Sequence, residues 1–212
     1  MDRITATKTA RMADEIEKVF PLSHEVKNAI AKTNREAFVP KGFRHNAYKL
    51  DALPIGEAQY ISSPLTVAKM TEYLFPRGAD RVLEVGCGSG YQAAVLAQLF
   101  RGVFSIERIE PLILEAKRRF RELNINNVHT RTDDGQNGWV SYAPFDRILF
   151  SATAKEIPSK LFEQLADGGI LVAPIEKNGK QVITRFMKNG EHIEAEELED
   201  CDFVPILDGV QR

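Results

Sequence analysis

Cysteine is scarce in this chain. Cys87 and Cys201 are the only two in 212 residues, and neither has a Cys or His neighbour at metal-ligand spacing. That excludes a disulfide framework and a zinc or iron–sulfur site built on paired cysteines, and it suits a reducing, cytoplasmic setting. No bound metal is expected. Long apolar runs are missing as well: none nears the roughly 20 residues that a membrane helix needs, and residues 1–20 are too polar for a secretory leader. A membrane partner is therefore not expected. Extended basic tracts are absent, the nearest being Lys117, Arg118 and Arg119 with Arg121 on a predicted helix, and the formal charge is −2. Nucleic acid is accordingly not the expected partner. Internal repeats and low-complexity linkers are also lacking. What remains, 43% hydrophobic and 27% charged residues, is ordinary globular composition with length for one good core and an appended subdomain, and a monomer is the simplest expectation.

The most informative stretch is residues 81–107. An apolar run too short for a helix (Val82, Leu83, Val85) leads through Gly86, Gly88 and Gly90 into an Ala/Leu-rich segment with helical spacing, then into a second β-rich run at 103–106. Strand, tight turn, helix, strand is one βαβ unit with its ligand loop at the carboxyl end of the first strand. Glycines are expected there because the turn demands positive φ and a Cβ would hold a ligand off the backbone. Tyr91 stands where a dinucleotide fingerprint wants glycine or alanine. Glu84, just ahead of the loop, would repel a pyrophosphate and suit a cation. Glu107 closes the second strand about twenty residues on, where an acid hydrogen-bonds ribose hydroxyls. Glu84, the glycines and Glu107 thus describe a pocket for a cationic nucleoside without phosphate, and S-adenosylmethionine is such a molecule. Cys87, inside the loop, reads as a small space-filling residue.

Elsewhere, Met12, Ile16, Val19 and Phe20 recur at helical spacing, and Val26, Ile30 and Ala31 repeat it behind a capping Ser23. Pro64 suits the first position of a helix capped by Ser63, which sets Ser62 just before a helix N-terminus where an anion can dock. A third strand at 128–132 ends in Asp133, Asp134 and Gly135, where ligands of open sheets collect, and Asp134 could accept an adenine amino group. Further expectations are a strand at 145–150, a helix at 158–165 ended by Gly168 and Gly169, a strand at 170–174, and a hairpin of residues 182–187 and 192–194 around Asn189-Gly190. The acidic run at 196–202 reads as a solvated face before a last apolar segment at 203–206. The expected fold is α/β: a doubly wound, mostly parallel, Rossmann-like sheet with an N-terminal helical cap and a C-terminal antiparallel hairpin. Residues 1–78 would form the cap and substrate-side segment and 79–212 the cofactor-binding core, within one compact unit.

Three blocks then coincide with a known family. Leu53-Pro54-Ile55-Gly56 with Ile61-Ser62-Ser63-Pro64, the glycine loop continuing through Gln92-Ala93-Ala94-Val95-Leu96-Ala97, and Phe203-Val204-Pro205 resemble protein-L-isoaspartate (D-aspartate) O-methyltransferases of the bacterial type. The resemblance implies a class I methyltransferase fold and methyl transfer from S-adenosylmethionine to the free α-carboxylate of isoaspartyl residues in damaged proteins and peptides. It makes Ser62 the active-site serine, brings Ile61, Val204 and Pro205 to the acceptor, and sets Glu84, Gly86, Gly88, Ser89, Gly90, Glu107, Asp134 and Gly135 on the cofactor side. Glu57 and Tyr60 depart from the usual block, in which threonine precedes the Ile-Ser pair, and so bear on acceptor choice. A methyltransferase for another carboxylic acceptor and a non-catalytic adaptor are the alternatives. An amino-methyltransferase of nucleic acid would carry an Asn/Asp-Pro-Pro-aromatic motif after the fourth strand, where this chain reads Ser151-Ala152-Thr153-Ala154.

Overall fold

The computed structural model describes residues 1–212. Helix α1 (Arg3–Val19) starts at Asp2, whose carboxylate accepts from the Thr5 N–H, and α2 (His24–Lys32) starts at Ser23, whose hydroxyl accepts from the Val26 N–H. Their inner faces, Met12, Ala13 and Ile16 on one and Val26, Ala29 and Ile30 on the other, are buried. Val19 is not: it is 64% exposed, because the helix ends there and the chain turns Phe20 inward onto the ring of Tyr73. Two short 3-10 turns, Arg35–Phe38 and Lys41–Asn46, lead to a small hairpin of β1 (Leu53–Gly56) and β2 (Gln59–Ile61) and then to α3 (Pro64–Tyr73). Ser63 caps α3 through its hydroxyl, with Pro64 in the first turn.

The remaining strands are β3 (Arg81–Val85), β4 (Gly102–Glu107), β5 (Val128–Thr132), β6 (Phe145–Phe150), β7 (Leu165–Lys177), β8 (Lys180–Asn189) and β9 (His192–Cys201), with α4 (Tyr91–Leu96), α5 (Glu110–Glu122) and α6 (Ser159–Glu163) between them. They form one seven-stranded sheet ordered β5-β4-β3-β6-β7-β8-β9. Pairing is parallel from β5 to β7 and antiparallel from β7 to β9. β3 lies inside the sheet and is buried from Val82 to Val85, hence its apolar composition. The chain leaves β3 on one side to build β4 and β5 and crosses to the other for β6, so the crevice of this sheet opens at the carboxyl ends of β3, β4 and β6.

Side chains alternate across the sheet. Val82 and Val103 join the large cluster that also holds residues of α1 to α5, whereas Leu83, Val85, Phe104 and Ile106 join a smaller one with Phe145, Phe150 and Leu161. Glu84 and Ser105 share the parity of Val82 and Val103, so they turn toward the helix-rich face. No helix is long and apolar enough to cross a membrane.

Two elements differ from the sequence-based expectation. The helix expected at 158–165 is the shorter α6, and β7 already begins at Leu165, which pairs with Phe145. Gly168, at φ +71°, and Gly169 lie inside β7 where its register against β6 shifts, so they form an irregularity in a strand and do not terminate a helix. The acidic run is not merely a solvated face, since β9 continues through it to Cys201. Glu196 meets Arg185 at 2.5 Å, Glu197 meets Lys177 at 3.1 Å, and Glu199 accepts from Lys69 and from the Tyr73 hydroxyl. An edge strand lined with carboxylates repels a second strand, which protects the open side of the sheet.

Candidate active site

A cleft of about 860 Å³, its open mouth included, lies in that crevice. One wall is the glycine loop with the end of β4. The Gly86 and Cys87 N–H groups donate to the Ile106 carbonyl at 2.9 and 3.1 Å, which folds the loop over the end of β4. Gly88, at φ +51°, faces the cleft, where a Cβ would stand in space a ligand could use. Gly90 serves otherwise: at φ +89° it starts α4, and a Cβ there would come within 2.8 Å of the Phe120 ring, so glycine is what lets α4 pack on α5. It does not line the cleft. Gly86, Ser89 and Gly135 do, and a Cβ on Gly135 would overlap the Val85 side chain.

The two glutamates behave differently. Glu107 lines the cleft at 6% exposure and accepts from the Gly88 N–H at 2.8 Å and the Ile109 N–H at 2.9 Å. Each oxygen keeps a lone pair for a hydroxyl donor. Glu84 lies beneath the loop and not on the cleft wall, because strand alternation turns it into the helix-rich face. It is fully buried, with one oxygen taken by the Ser105 hydroxyl and the other unpartnered. Burial pushes its carboxyl up to about 8; the Ser105 hydrogen bond opposes this and nearby Glu107 adds to it. That shift favours the protonated form of Glu84 at pH 7 in the ligand-free chain, which weakens the pyrophosphate repulsion expected of it from the sequence. Phosphate is disfavoured by another feature: Arg108 is the one cationic residue on the wall, and its guanidinium is turned to the carbonyls of Gly209 and Asp208. Cys87 is buried, and burial raises its thiol well above the usual range, which makes it unreactive.

Asp134 does not line the cleft either. Its oxygens accept from the Gln136 N–H at 3.0 Å and the Gly209 N–H at 2.9 Å, so it shapes the turn that presents Gly135 and anchors the tail of the chain.

The opposite wall is assembled from separate segments. Ile61 and Ser62 come from the end of the β1–β2 hairpin, Ser151 and Ala152 from the end of β6, and residues 204–207 from beyond β9. Since Ser63 does the capping of α3, the Ser62 hydroxyl is not needed there. Val204 and Pro205 are held by main-chain bonds to Thr153: its N–H donates to the Val204 carbonyl and its carbonyl accepts from the Ile206 N–H, each at 2.8 Å. The Gln181 amide grips Phe203 just before them, accepting from its N–H at 2.7 Å and donating to its carbonyl at 3.0 Å. Tyr60 leaves the interior open, being 57% exposed at the mouth.

Some residues of this site carried no usable signal in the sequence. Arg35 is fully buried and donates to the carbonyls of Ala47 at 2.6 Å, Asp51 at 2.9 Å and Ser62 at 3.0 Å, with the Tyr91 ring 5.7 Å away. It fixes the segment that carries Ser62. It lies between Asn34 and Glu36 in a polar stretch, where an arginine reads as a surface residue. Asp208, Gly209 and Gln211 bridge to Arg108 and Ile109 beside β4, and Glu57 reaches the Gln211 amide at 3.1 Å.

A doubly wound sheet, a glycine loop over the central strand, and a nearly buried acid at the end of the next define the class: a Rossmann-like α/β fold of the class I, S-adenosylmethionine-dependent methyltransferase type. The comparisons narrow it. Residues 6–211 match the model of the family described as protein-L-isoaspartate(D-aspartate) O-methyltransferase. The chain is 56% identical over 209 residues, 98% of its length and 100% of the relative's, to the protein-L-isoaspartate O-methyltransferase of Helicobacter pylori (strain G27). It is 47% identical to that of Photobacterium profundum, covering 88% of this chain and 89% of that one. A solved protein-L-isoaspartate O-methyltransferase superposes with a TM-score of 0.85 at 26% identity, over 92% of this chain and 64% of that one. The Plasmodium falciparum structure in complex with S-adenosyl-L-homocysteine shares the fold, with a TM-score of 0.84 at 22% identity over 94% of this chain and 98% of that one. The chain belongs to the protein-L-isoaspartate(D-aspartate) O-methyltransferase family.

Proposed function

We propose that this chain is a repair methyltransferase that esterifies the free α-carboxylate of L-isoaspartyl residues in proteins and peptides. The observation that carries this reading is the pairing of walls across one cleft. A glycine loop with Glu107 stands on one side, and Ser62, at the start of α3, stands with the main chain of Val204 and Pro205 on the other. S-adenosylmethionine supplies the electrophilic methyl group on its sulfonium sulfur. The residues present fit it: Glu107 has lone pairs for ribose hydroxyls, Gly86, Gly88 and Ser89 leave the backbone approachable, and Gly135, set by Asp134, backs the base. Glu84 acts through the field beneath the loop, where a bound cation would draw it toward its ionised form.

The acceptor carboxylate, with an ordinary pKa near 4, is already ionised at neutral pH, so no side chain has to remove a proton. The chain's part is to position and dry the acceptor. The Ser62 hydroxyl donates to one carboxylate oxygen, the positive end of α3 favours the charge, and Ile61, Val67, Val204 and Ile206 keep water from the other oxygen. The methyl ester formed makes that carbonyl electrophilic. The next backbone nitrogen closes on it with loss of methanol, and the resulting succinimide opens in part to normal aspartate.

In this reading residues 1–78, joined by Val204 to Ile206, serve the acceptor and the rest of 79–212 the donor within one compact monomer. It works in the reducing cytoplasm on peptide, without nucleic acid or membrane. Two unbonded cysteines and a near-balanced charge support that setting. The test is methanol release from twin peptides that differ only in isoaspartyl against aspartyl linkage. Release from the isoaspartyl twin alone is the expected result, and equal release from both would remove the repair reading.

A further inference from the structure

We propose that Tyr60 and Leu207 form an apolar clamp at the cleft mouth that reads the side chain next to the isoaspartyl residue, favouring aliphatic or aromatic neighbours over small or charged ones. This rests on the function proposed above and adds the recognition that selects among its substrates.

Both residues line the cleft, yet they are 57% and 51% exposed, so each presents a large apolar surface to whatever occupies the mouth. Both stand on backbone that is tied into the fold. Tyr60 is paired with Pro54 in the β1–β2 hairpin, whose tip takes positive φ at Glu57 (51°) and Ala58 (53°), a conformation that non-glycine residues adopt at some cost. That tip turns Tyr60 outward while Ile61, its neighbour, is 3% exposed. Leu207 follows Ile206, whose N–H is bound to Thr153. The Glu57 carboxylate on the Gln211 amide ties the hairpin to the tail across the mouth, so the two apolar side chains belong to one arch. A rigid tyrosine with an exposed face gives contact area at little entropic loss, which is why such residues anchor peptides. The carboxylate of Glu57 on the same arch disfavours an acidic neighbour.

The experiment measures kcat/KM for isoaspartyl peptides with leucine, glycine or glutamate beside the isoaspartyl residue. The native chain is expected to prefer leucine over glycine by about tenfold, carried by KM, with glutamate poorest. Tyr60→Thr and Leu207→Ala should each shrink that ratio toward equality, and Tyr60→Phe should keep it; thermal melts show which variants are folded. A native chain with equal kcat/KM for the leucine and glycine peptides overturns the clamp, as does a folded Tyr60→Thr or Leu207→Ala chain with its preference intact. Failure to turn over any isoaspartyl peptide strikes instead at the proposed function.

Discussion

The glycine-loop wall and the serine wall of the cleft are made in different ways. The first comes from one continuous stretch, Val85 through Ile109, in which strand, turn and helix follow directly from local sequence. The second needs the β1–β2 hairpin, the end of β6 and the chain beyond β9 to meet, and it is held by long-range hydrogen bonds centred on Arg35, Thr153 and Gln181. A wall made of one supersecondary unit forms as that unit forms. A wall made of three segments exists only once the whole sheet is closed, so it is the part more easily disturbed from a distance.

The sharpest way to break this contrast is Arg35→Met. It leaves the carbonyls of Ala47, Asp51 and Ser62 without their donor in the interior, with an expected loss of about 4 kcal/mol in denaturant unfolding. Folded Arg35→Met should keep its affinity for the methyl donor while losing turnover. An equal drop in both would mean that the walls are not separable. Gly90→Ala probes the other wall. Its Cβ meets Phe120 in a left-handed backbone position, so about 3 kcal/mol of stability should go, with donor affinity falling as α4 shifts. Ser62→Ala removes one hydrogen bond to a charged acceptor and should lower kcat/KM on an isoaspartyl peptide about a hundredfold, roughly 2.7 kcal/mol, with calorimetric donor affinity unchanged.

Per pH unit, the smallest effect is that of acidity. Glu84 has a folded pKa of about 8, above its ordinary value of 4.5, so its contribution to stability is complete below about 4.5 and is lost as pH rises to about 8. The loss is at most about 1.4 kcal/mol per pH unit across that window. Glu84→Gln should flatten this part of the stability profile of the ligand-free chain, as melts from pH 5 to 8 would register. An unchanged slope would mean that Glu84 is ionised while buried.

Much of the glycine-loop wall was legible in advance because its chemistry is local. Gly86, Gly88 and Glu107 occupy the expected places on the cleft, and Ser63 caps α3 as its position before Pro64 suggested. Glu84 and Gly90 were legible as strand end and turn, but the direction of their side chains depends on which sheet face is covered by helices and on where α5 packs. Sequence spacing carries neither. Arg35 was invisible because its partners are three main-chain carbonyls, and a carbonyl has no signature in the residue that bears it. The bulge at Gly168 and Gly169 looked like a helix end because both require the same backbone freedom. Residues 196–202 looked solvated because the pattern of an edge strand, one face half-covered and carboxylates throughout, is also the pattern of an open surface.

By itself the amino-acid order determined the alternation of strands and helices, the glycine turn after β3, the acid at the end of β4 and the capped start of α3, since each depends on residues within a turn or two of one another. Only the closed fold decided that Glu84 would be buried with its carboxyl pushed toward the protonated form, that Arg35 would hold the carbonyl of Ser62, and that the chain beyond β9 would return to complete the cleft. Those outcomes rest on burial and on bonds between residues distant in sequence, and both come into being when the sheet and its helices pack.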